Sequence, residues 1–337
     1  MILWVEANQQ IGMGHLAESL AVAQEASQRG MEVRFLVTPF DAAEEHLGIH
    51  GMQYVTAPLV NGIETLEDYN RDELLDLVIV DHRSVHLSHL IRLHERGWRV
   101  AVIDQLGNKP MVCDLLINAS MVKDWHVYEF PLEESECRFG PEFALLRSEF
   151  SGLNRQEKKF NGPPFKILVT MGGVDRTGAT FNIIDALAGL GIASHKEIIT
   201  GSGFAHSERL KRVKRQTDNS FSYSADIRNI GERLFGAHLA ISAGGNTLYE
   251  CACTGTPTIV LWEDDHERRE AADFAREGAA INLGPGTSTT SSDIRNVVTS
   301  LLKNETERMR MSQRGMTIVD GRGTSRICDD LLDLGGI

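Results

Sequence analysis

Cysteine is scarce in this sequence, and its placement argues against a metal site or a disulfide framework. The chain has 337 residues and five cysteines. Cys251 and Cys253 lie two apart on a predicted helix, where their side chains point in different directions. No second pair of cysteines or histidines stands at the spacing of zinc ligands. We therefore expect free thiols and no metal.

Long apolar segments and positive charge are also in short supply. No apolar run reaches the roughly 20 residues that a membrane-spanning helix requires. The first residues, Met1 to Ala7, lack the basic region of a signal peptide, so we expect a cytoplasmic protein without stable membrane insertion. The formal net charge of −13 argues against nucleic acid or an anionic membrane as the main partner. An anionic substrate must therefore be held by local donors against an unfavourable overall field.

The common nucleotide-binding fingerprints are missing as well. Gly12-Met-Gly14-His15 begins like a dinucleotide motif, but Ala17 stands where the third glycine belongs. The second predicted strand ends at Val37 without a ribose-binding acid, and no Walker A sequence occurs. These absences disfavour a dinucleotide-dependent or P-loop enzyme.

The sequence does contain two series of alternating strand and helix patterns. Apolar runs end at Asp81 and Asp104, as buried parallel strands do when their carboxyl ends face a ligand. The pattern loosens after Gly140 and then a second series starts. We predict an α/β protein with two Rossmann-like parallel-sheet domains, residues 1–150 and 151–337, that face a central cleft.

The most informative segment, residues 241–257, predicts a short buried strand, a glycine turn and a helix. The first amides of a helix lack internal partners, and the helix dipole adds partial positive charge there, so this combination forms an anion site. Glu250, about one turn into the helix, can reach a ribose diol. Turn chemistry alone fits an ordinary strand-to-helix turn equally well, and the rest of the chain favours the nucleotide site. The candidate nucleotide-binding residues here are Ser242, Gly244, Gly245, Asn246 and Glu250, with Asn246 or Thr247 expected to cap the helix.

Other glycine turns follow predicted strands in both halves. Gly14 lets a ligand approach the first turn, and Gly172-Gly173 can admit sugar or phosphate in the second half. Gly201-Ser-Gly203 can form the wall of a base pocket with backbone donors. Each of these turns is a weak indication by itself.

A histidine stands where the first turn enters the first helix. His15 can act as a general acid or base, or it can simply pack at the helix start. Glu18, one turn later, either faces the imidazole and favours its charged form or is a solvated first-turn acid. Asp81 and His82, at a first-half strand end, are further candidates for acid–base work.

An acidic segment, Glu263-Asp-Asp-His-Glu267, follows a predicted strand of the second half. It is consistent with a metal-binding cluster, with a loop that contacts a sugar, or with a solvated loop that opens the next helix. His266 joins His15 and Asp81 as a candidate catalytic residue.

Several phrases spread along the whole chain resemble one known family. The sequence is similar to the PseG/SpsG-like UDP-sugar hydrolases, which comprise the hydrolases of pseudaminic acid biosynthesis and related spore-coat polysaccharide proteins. More distantly, its second half resembles MurG-type glycosyltransferases of the GT-B fold. The matching phrases are Ile11-Gly-Met-Gly-His15, Val102-Ile-Asp-Gln-Leu-Gly-Asn108 with Cys113-Asp-Leu-Leu116, Phe139-Gly-Pro-Glu-Phe-Ala-Leu-Leu-Arg147, Met171-Gly-Gly173, Ile241-Ser-Ala-Gly-Gly245 through Glu250, and Val319-Asp-Gly-Arg-Gly323.

The resemblance implies a GT-B architecture and a reaction. UDP would be held mainly by the C-terminal half, with the diphosphate at the 244–246 turn and the ribose at Glu250. His15 would correspond to the family's catalytic base, which activates the water that displaces UDP from an acetamido-deoxy sugar without a metal. The base is uracil by resemblance, and cytosine stays open.

The departures from the family lie on the sugar side. The family usually has arginine where this chain has Glu18, tyrosine where it has Arg83, and Asp-Asn-Gln where it has Asp265-His266-Glu267. Four of these five positions, Glu18, Arg83, Asp265 and Glu267, are therefore expected to line the sugar pocket. The leading hypothesis is a nucleotide-sugar hydrolase. An inverting glycosyltransferase and a non-catalytic nucleotide-sugar-binding protein are the alternatives.

Overall fold

The chain forms two compact units. The computed structural model describes residues 1–9, 11–70, 75–132, 135–201, 203–225, 227 and 229–336. Unit 1 comprises Met1–Ser148 and Gly321–Ile337, and unit 2 comprises Glu149–Asp320.

Unit 1 is built on a seven-stranded sheet in which every strand pairs in parallel with its neighbours. The strands of the unit are β1 (Ile2–Val5), β2 (Arg34–Val37), β3 (Gln53–Thr56), β4 (Leu77–Asp81), β5 (Arg99–Ile103), β6 (Lys109–Pro110), β7 (Leu115–Asn118), β8 (Tyr128–Glu129) and β9 (Glu136–Phe139). The sheet order is β3-β2-β1-β4-β5-β7-β9, and β6 and β8 form a separate short pair. Successive residues of β1 pack into different apolar clusters on the two faces, which is why its apolar run is unbroken.

Five helices cover the faces of this sheet. They are α1 (Gly14–Gln28), α2 (Asp41–Ile49), α3 (Gly62–Tyr69), α4 (Leu87–Glu95) and, from the end of the chain, Gly323–Gly335, which is numbered α13 below. Single 3₁₀ turns occur at Leu59–Asn61, Lys123–Trp125 and Pro141–Phe143.

The last helix of the chain belongs to unit 1 and not to the predicted domain 151–337. Its apolar face, including Ile327, Cys328 and Leu331, belongs to the core of unit 1 and packs against α1. The Arg138 guanidinium makes two hydrogen bonds, of 2.6 and 2.7 Å, to the carboxylate of Asp330. The prediction was wrong here because the partner surface of this helix lies in the first half of the sequence, which local patterning does not reveal.

Unit 2 repeats the same architecture with a six-stranded parallel sheet. Its strands are β10 (Phe165–Thr170), β11 (Ser194–Thr200), β12 (Phe221–Ala225), β13 (Leu239–Ser242), β14 (Thr258–Trp262) and β15 (Ala280–Pro285), in the order β12-β11-β10-β13-β14-β15. Its helices are α5 (Ser148–Ser151), which begins at the unit boundary, α6 (Ala179–Ala188), α7 (Ser207–Lys214), α8 (Ile230–Gly236), α9 (Asn246–Cys253), α10 (Asp265–Arg276), α11 (Ser291–Lys303) and α12 (Glu305–Ile318), with a 3₁₀ turn at Arg155–Glu157.

Each sheet has one place where the strand order reverses direction. In unit 1 this lies between β1 and β4, and in unit 2 between β10 and β13. Open α/β sheets bind ligands beyond the carboxyl ends of the strands at such points. The predicted residues His15 and Asp81 in unit 1, and the glycine turns of unit 2, lie at these two places. Across the described residues, no helix is both long and apolar enough to cross a membrane.

Candidate functional site

The site in unit 1 centres on a histidine and an aspartate from different elements. His15 is the second residue of α1, and Asp81 is the last residue of β4. His15 Nδ1 lies 2.5 Å from Asp81 Oδ1, and Ser19 Oγ, one turn further along α1, donates to Asp81 Oδ2 at 3.0 Å. Asp81 is completely buried and His15 is 7% exposed. The two sequence candidates therefore form one hydrogen-bonded dyad.

This pairing fixes the chemistry of the imidazole. A carboxylate facing Nδ1 holds the proton on that nitrogen, so Nε2 is the basic nitrogen of the neutral ring. Burial alone would lower the pKa of His15, but the charge and hydrogen bond of Asp81, together with the charge of Glu18, raise it above the ordinary value. The arrangement suits proton transfer through Nε2.

Glu18 is held next to this dyad rather than exposed to solvent. It is 9% exposed, and both of its carboxylate oxygens accept hydrogen bonds from Gln105 Nε2, at 2.8 and 2.9 Å. Of the two interpretations of Glu18, the solvated first-turn acid is wrong, because the residue is buried and its charge acts on His15.

A second histidine–carboxylate pair, which sequence reasoning only half identified, lies next to β1 and β4. His82 Nδ1 is 3.0 Å from Glu6 Oε2, and the Ser84 amide and hydroxyl also donate to Glu6. Burial raises the pKa of Glu6, but the hydrogen bond and charge of His82 and the Ser84 donors outweigh it and bring the pKa to about 2. Glu6 directly follows β1, but nothing in the local sequence indicates that it contacts a residue 76 positions away.

A cavity of about 340 Å³ opens beside these pairs in unit 1. Its polar lining includes His15, His82, Arg83, Gln105 and Lys109, and Val80, Leu90, Val102 and Met111 are among its apolar residues. Arg83, a predicted sugar-pocket residue, is exposed at this cavity, and its positive charge lowers the pKa of His15. Gly14 is exposed at the first residue of α1.

In unit 2 the predicted glycine turns lie against one another. Gly172 has a positive φ of 71°, a left-handed conformation that glycine adopts without strain. A methyl group on Gly201 would lie 2.6 Å from Gly173 Cα, and one on Gly203 would lie 3.1 Å from the Gly173 oxygen. Gly201 and Gly203 are therefore glycines because the 172–173 turn packs against them, while a methyl group on Gly173 would meet nothing within 4 Å. Ser202 lies outside the described residues.

The turn before α9 is also shaped by a close approach. The helix begins at Asn246 and Gly245 is its N-cap, so the expectation that Asn246 or Thr247 caps it is wrong. The backbone of Gly245 is extended, and a methyl group there would lie 3.6 Å from Glu267 Oε1, which is an ordinary van der Waals distance. A methyl group on Gly244 would lie 2.6 Å from the Glu267 backbone oxygen.

Two further candidates flank this turn. Ser242 ends β13 and is completely buried, and its hydroxyl has no hydrogen-bond partner among the described residues. Glu250 lies four residues into α9 and is half-buried. The structure thus brings Ser242, the 244–245 turn and the 172–173 turn to the carboxyl ends of adjacent strands.

The acidic segment after β14 is engaged by the loop after β10. Glu263 accepts from the Thr177 amide and hydroxyl, at 3.1 and 3.0 Å, and Arg176 pairs with both Glu263 and Asp264. Asp264 caps α10 by accepting from the Glu267 amide at 2.9 Å. These contacts make the segment a structural loop that opens a helix.

The remaining candidates in this segment are spread over the first turn of α10. Asp265 pairs with Arg268 at 2.7 Å, and its side chain is 75% exposed. His266 is half-buried, and its charge lowers the pKa of Asp264. His266 thus lies in unit 2, whereas His15 and Asp81 lie in unit 1.

Among the described residues, one group has the spacing of metal ligands. Ligand atoms of His15, Glu18 and Asp81 lie within 4.8 Å of one another. The facing atoms of His15 and Asp81 share a hydrogen bond, and Glu18 is bound to Gln105, so the group as folded is a hydrogen-bonded network.

Comparison with known proteins gives this pair of sites a context. Residues 183–321 match the Glycosyltransferase family 28 C-terminal domain. The chain is 23% identical to the spore coat polysaccharide biosynthesis protein SpsG of Bacillus subtilis, over 98% of this chain and 97% of SpsG. The structure of Acinetobacter baumannii MurG is similar with a TM-score of 0.72 and 17% identity, over 98% of this chain and 99% of MurG. Anabaena HepE in complex with UDP is similar with a TM-score of 0.60 and 12% identity, over 98% and 99%.

These similarities first define the class: the fold is that of the GT-B glycosyltransferases, and the chain is a glycosyltransferase-like protein with a nucleotide-sugar-related function. Within that class, the chain is similar to SpsG from end to end. The predicted resemblance to SpsG-like proteins and the predicted α/β, GT-B-like fold are both confirmed.

Proposed function

We propose that the protein hydrolyses a UDP-sugar in surface glycan biosynthesis, with His15 as general base. His15 Nε2 takes a proton from water, the water oxygen bonds to the anomeric carbon, and the bond from that carbon to the phosphate oxygen breaks. The products are the free sugar and UDP. By the resemblance described above, the sugar is of the acetamido-deoxy type. The glycine turns of unit 2, with Glu250 at the ribose, bind the nucleotide.

The observation that carries this proposal is the buried His15–Asp81 dyad. A carboxylate on Nδ1 orients the ring, stabilises the imidazolium formed during proton transfer and leaves Nε2 for the reacting water. Ser19 and Asp81 are both completely buried, so the dyad is held rigidly. A protein that only bound nucleotide-sugars would have no need of such an arrangement.

We propose further that the reaction needs no metal. The backbone amides at the start of α9 can stabilise the charge that develops on the departing diphosphate, which is the task a divalent cation performs in other enzymes. Activity that survives exhaustive treatment with EDTA supports this point, and loss of activity that Mg²⁺ or Mn²⁺ restores contradicts it.

An inverting glycosyltransferase is the second candidate, and the cavity beside His15 is compatible with it. Its volume is about 340 Å³, and its mixed polar and apolar lining is typical of a small-molecule site. In this reaction a sugar or lipid hydroxyl takes the place of water, and His15 deprotonates that hydroxyl.

The two candidates and simple binding are separated by one experiment. The protein is incubated with a panel of UDP-sugars, with and without glycan acceptors, and free UDP is measured. Release without acceptor supports the hydrolase, and release only with acceptor supports the transferase. Tight binding without turnover supports a non-catalytic protein.

Two variants in the same assay test the assigned roles. His15→Ala should lower turnover at least about 10²-fold while sparing UDP affinity, because the base touches only the reacting atoms. Glu250→Ala should weaken UDP binding without changing which sugar is accepted. A His15→Ala protein with full activity would remove this residue from the mechanism.

A further inference from the structure

We propose that the Glu267 carboxylate is an internal anion that occupies the glycine turn before α9, and that a nucleotide diphosphate binds there with uptake of one proton by Glu267. This inference rests on the proposed function, because it takes the turn as the diphosphate site. It adds that pH regulates nucleotide binding at this site, and it assigns that effect to Glu267, which the sequence analysis placed in the sugar pocket.

The geometry places the carboxylate directly on the turn. The Gly244 amide favours the ionised form of Glu267 and so lowers its pKa, and the Glu263 amide donates a hydrogen bond to Glu267 Oε2 at 2.7 Å. Glu267 Oε1 lies 3.6 Å from the position that a methyl group on Gly245 would take. The Glu267 carboxylate therefore already lies against the turn that an incoming phosphate would approach.

The charges around Glu267 oppose a second anion. From its own loop, Glu263 and Asp264 both disfavour ionisation of Glu267, and Arg176 of the loop after β10 pairs with these two acids. Burial and these like charges outweigh the amide hydrogen bonds and raise the pKa of Glu267 to about 7. A diphosphate with at least two negative charges would raise that pKa further on binding.

The consequence is a linkage between nucleotide binding and protons. Below pH 7 Glu267 is already largely protonated, and a neutral carboxyl can donate its hydrogen to a phosphate oxygen. Above pH 7 it is ionised in the free protein, so binding must either take up a proton or place two anions on the same amides. Affinity for the nucleotide should therefore fall as the pH rises through 7, by up to about tenfold for each pH unit.

The test compares the wild-type protein with Glu267→Gln. Glutamine keeps the size of the side chain and an oxygen that can accept the Glu263 amide, but it carries no charge and does not titrate. The helix cap is unaffected, because it uses the backbone amide of residue 267. Glu277→Gln makes the same chemical change at the exposed carboxyl end of α10 and serves as the matched control.

UDP dissociation constants are measured by calorimetry from pH 6 to 8.5 in buffers of different ionisation enthalpy. The ratio of the wild-type constant to the Glu267→Gln constant should rise about tenfold or more over this range. Ionisation of UDP itself cancels in that ratio. Near pH 7.5 the wild-type protein and Glu277→Gln should take up a substantial fraction of a proton, and Glu267→Gln should take up markedly less.

The outcomes are distinguishable. If all three proteins bind UDP with the same pH dependence, Glu267 does not compete for the turn and the inference fails, while the proposed nucleotide site stands. If the ratio changes but Glu277→Gln shows the same change, the effect belongs to overall charge and the inference also fails. If none of the three proteins binds UDP at any pH, both the proposed function and the inference are contradicted.

Discussion

The protonation state of His15 sets how the proposed reaction should depend on pH. A general base works in its neutral form, and Asp81 and Glu18 raise the pKa of His15 above its ordinary value of 6.5. Activity should therefore fall as the pH drops through a value above 6.5.

Replacing Asp81 tests this at the level of one residue. Asp81→Asn removes the charge that favours the imidazolium and no longer fixes the proton on Nδ1, so kcat should fall about 10²- to 10⁴-fold. The acid limb of the pH–rate profile should move to lower pH in the residual activity. Ser19→Ala, which removes a single hydrogen bond to the same carboxylate, should have a much smaller effect on both quantities.

A profile whose acid limb stays in place in Asp81→Asn would contradict the dyad as the source of the base. An equal loss of rate in Ser19→Ala would instead indicate that both variants act through general disruption of the strand end. Thermal unfolding of the two variants, recorded in parallel, identifies that case.

The sequence allowed part of this site to be predicted, and the limit has a physical reason. His15 and Asp81 follow strand patterns, and parallel strands bring their carboxyl ends to the same edge, so both could be placed at the ligand-binding edge of the sheet, whereas their pairing could not be predicted. The pairs Glu6–His82 and Gly244–Glu267 depend on how side chains and turns fold back on one another. No local pattern encodes such contacts, so the acidic segment and the resemblance could indicate only that Glu267 lies near a ligand.

At the scale of elements, the strands were the most predictable part of the fold. The predicted strand ends at Val37 and Asp81 agree with the ends of β2 and β4, because buried parallel strands are continuous apolar runs bounded by turn residues. The last helix lies in a segment that was assigned to the wrong unit. Amphipathic periodicity shows that a helix has a buried face, and it does not show which surface covers that face.

Because α13 belongs to unit 1, a substitution in its buried face should destabilise unit 1 and leave unit 2 unchanged. Leu331 is completely buried in the apolar cluster that also contains Leu16 and Leu20 of α1. Leu331→Ala should lower the free energy of unfolding of unit 1 by about 2–5 kcal/mol, because it removes buried methyl groups and leaves a cavity. Hydrogen exchange should become faster in α1 and stay unchanged in β10 of unit 2.

Asp333→Ala provides the control on the same helix, since this residue is exposed and the change leaves the apolar face intact. It should alter exchange in neither unit. If Leu331→Ala instead makes exchange faster in β10 and leaves it unchanged in α1, the assignment of α13 to unit 1 is contradicted.

At the scale of the whole molecule, charge works against the proposed substrate. The chain carries a formal net charge of −13, and a UDP-sugar is itself an anion. The glycine turns offer neutral amides, and Glu267, whose own loop also carries Glu263 and Asp264, lies beside the turn before α9. Attraction at the site is therefore short-ranged, whereas repulsion from the protein extends over about a Debye length.

This difference in range predicts an unusual response to salt. Raising the ionic strength from about 0.01 M to 0.15 M shortens the Debye length from roughly 30 to 8 Å, which screens the long-range repulsion more than the contacts in the site. The association rate constant for UDP should therefore rise with salt, by up to about tenfold, and the dissociation rate constant should change little.

Stopped-flow measurements with UDP and with uncharged uridine separate the effects, because uridine association should not respond. An association rate for UDP that falls with salt would mean that basic residues steer the substrate, and the cationic side chains Arg83 and Lys109 at the unit 1 cavity would then be the first to replace.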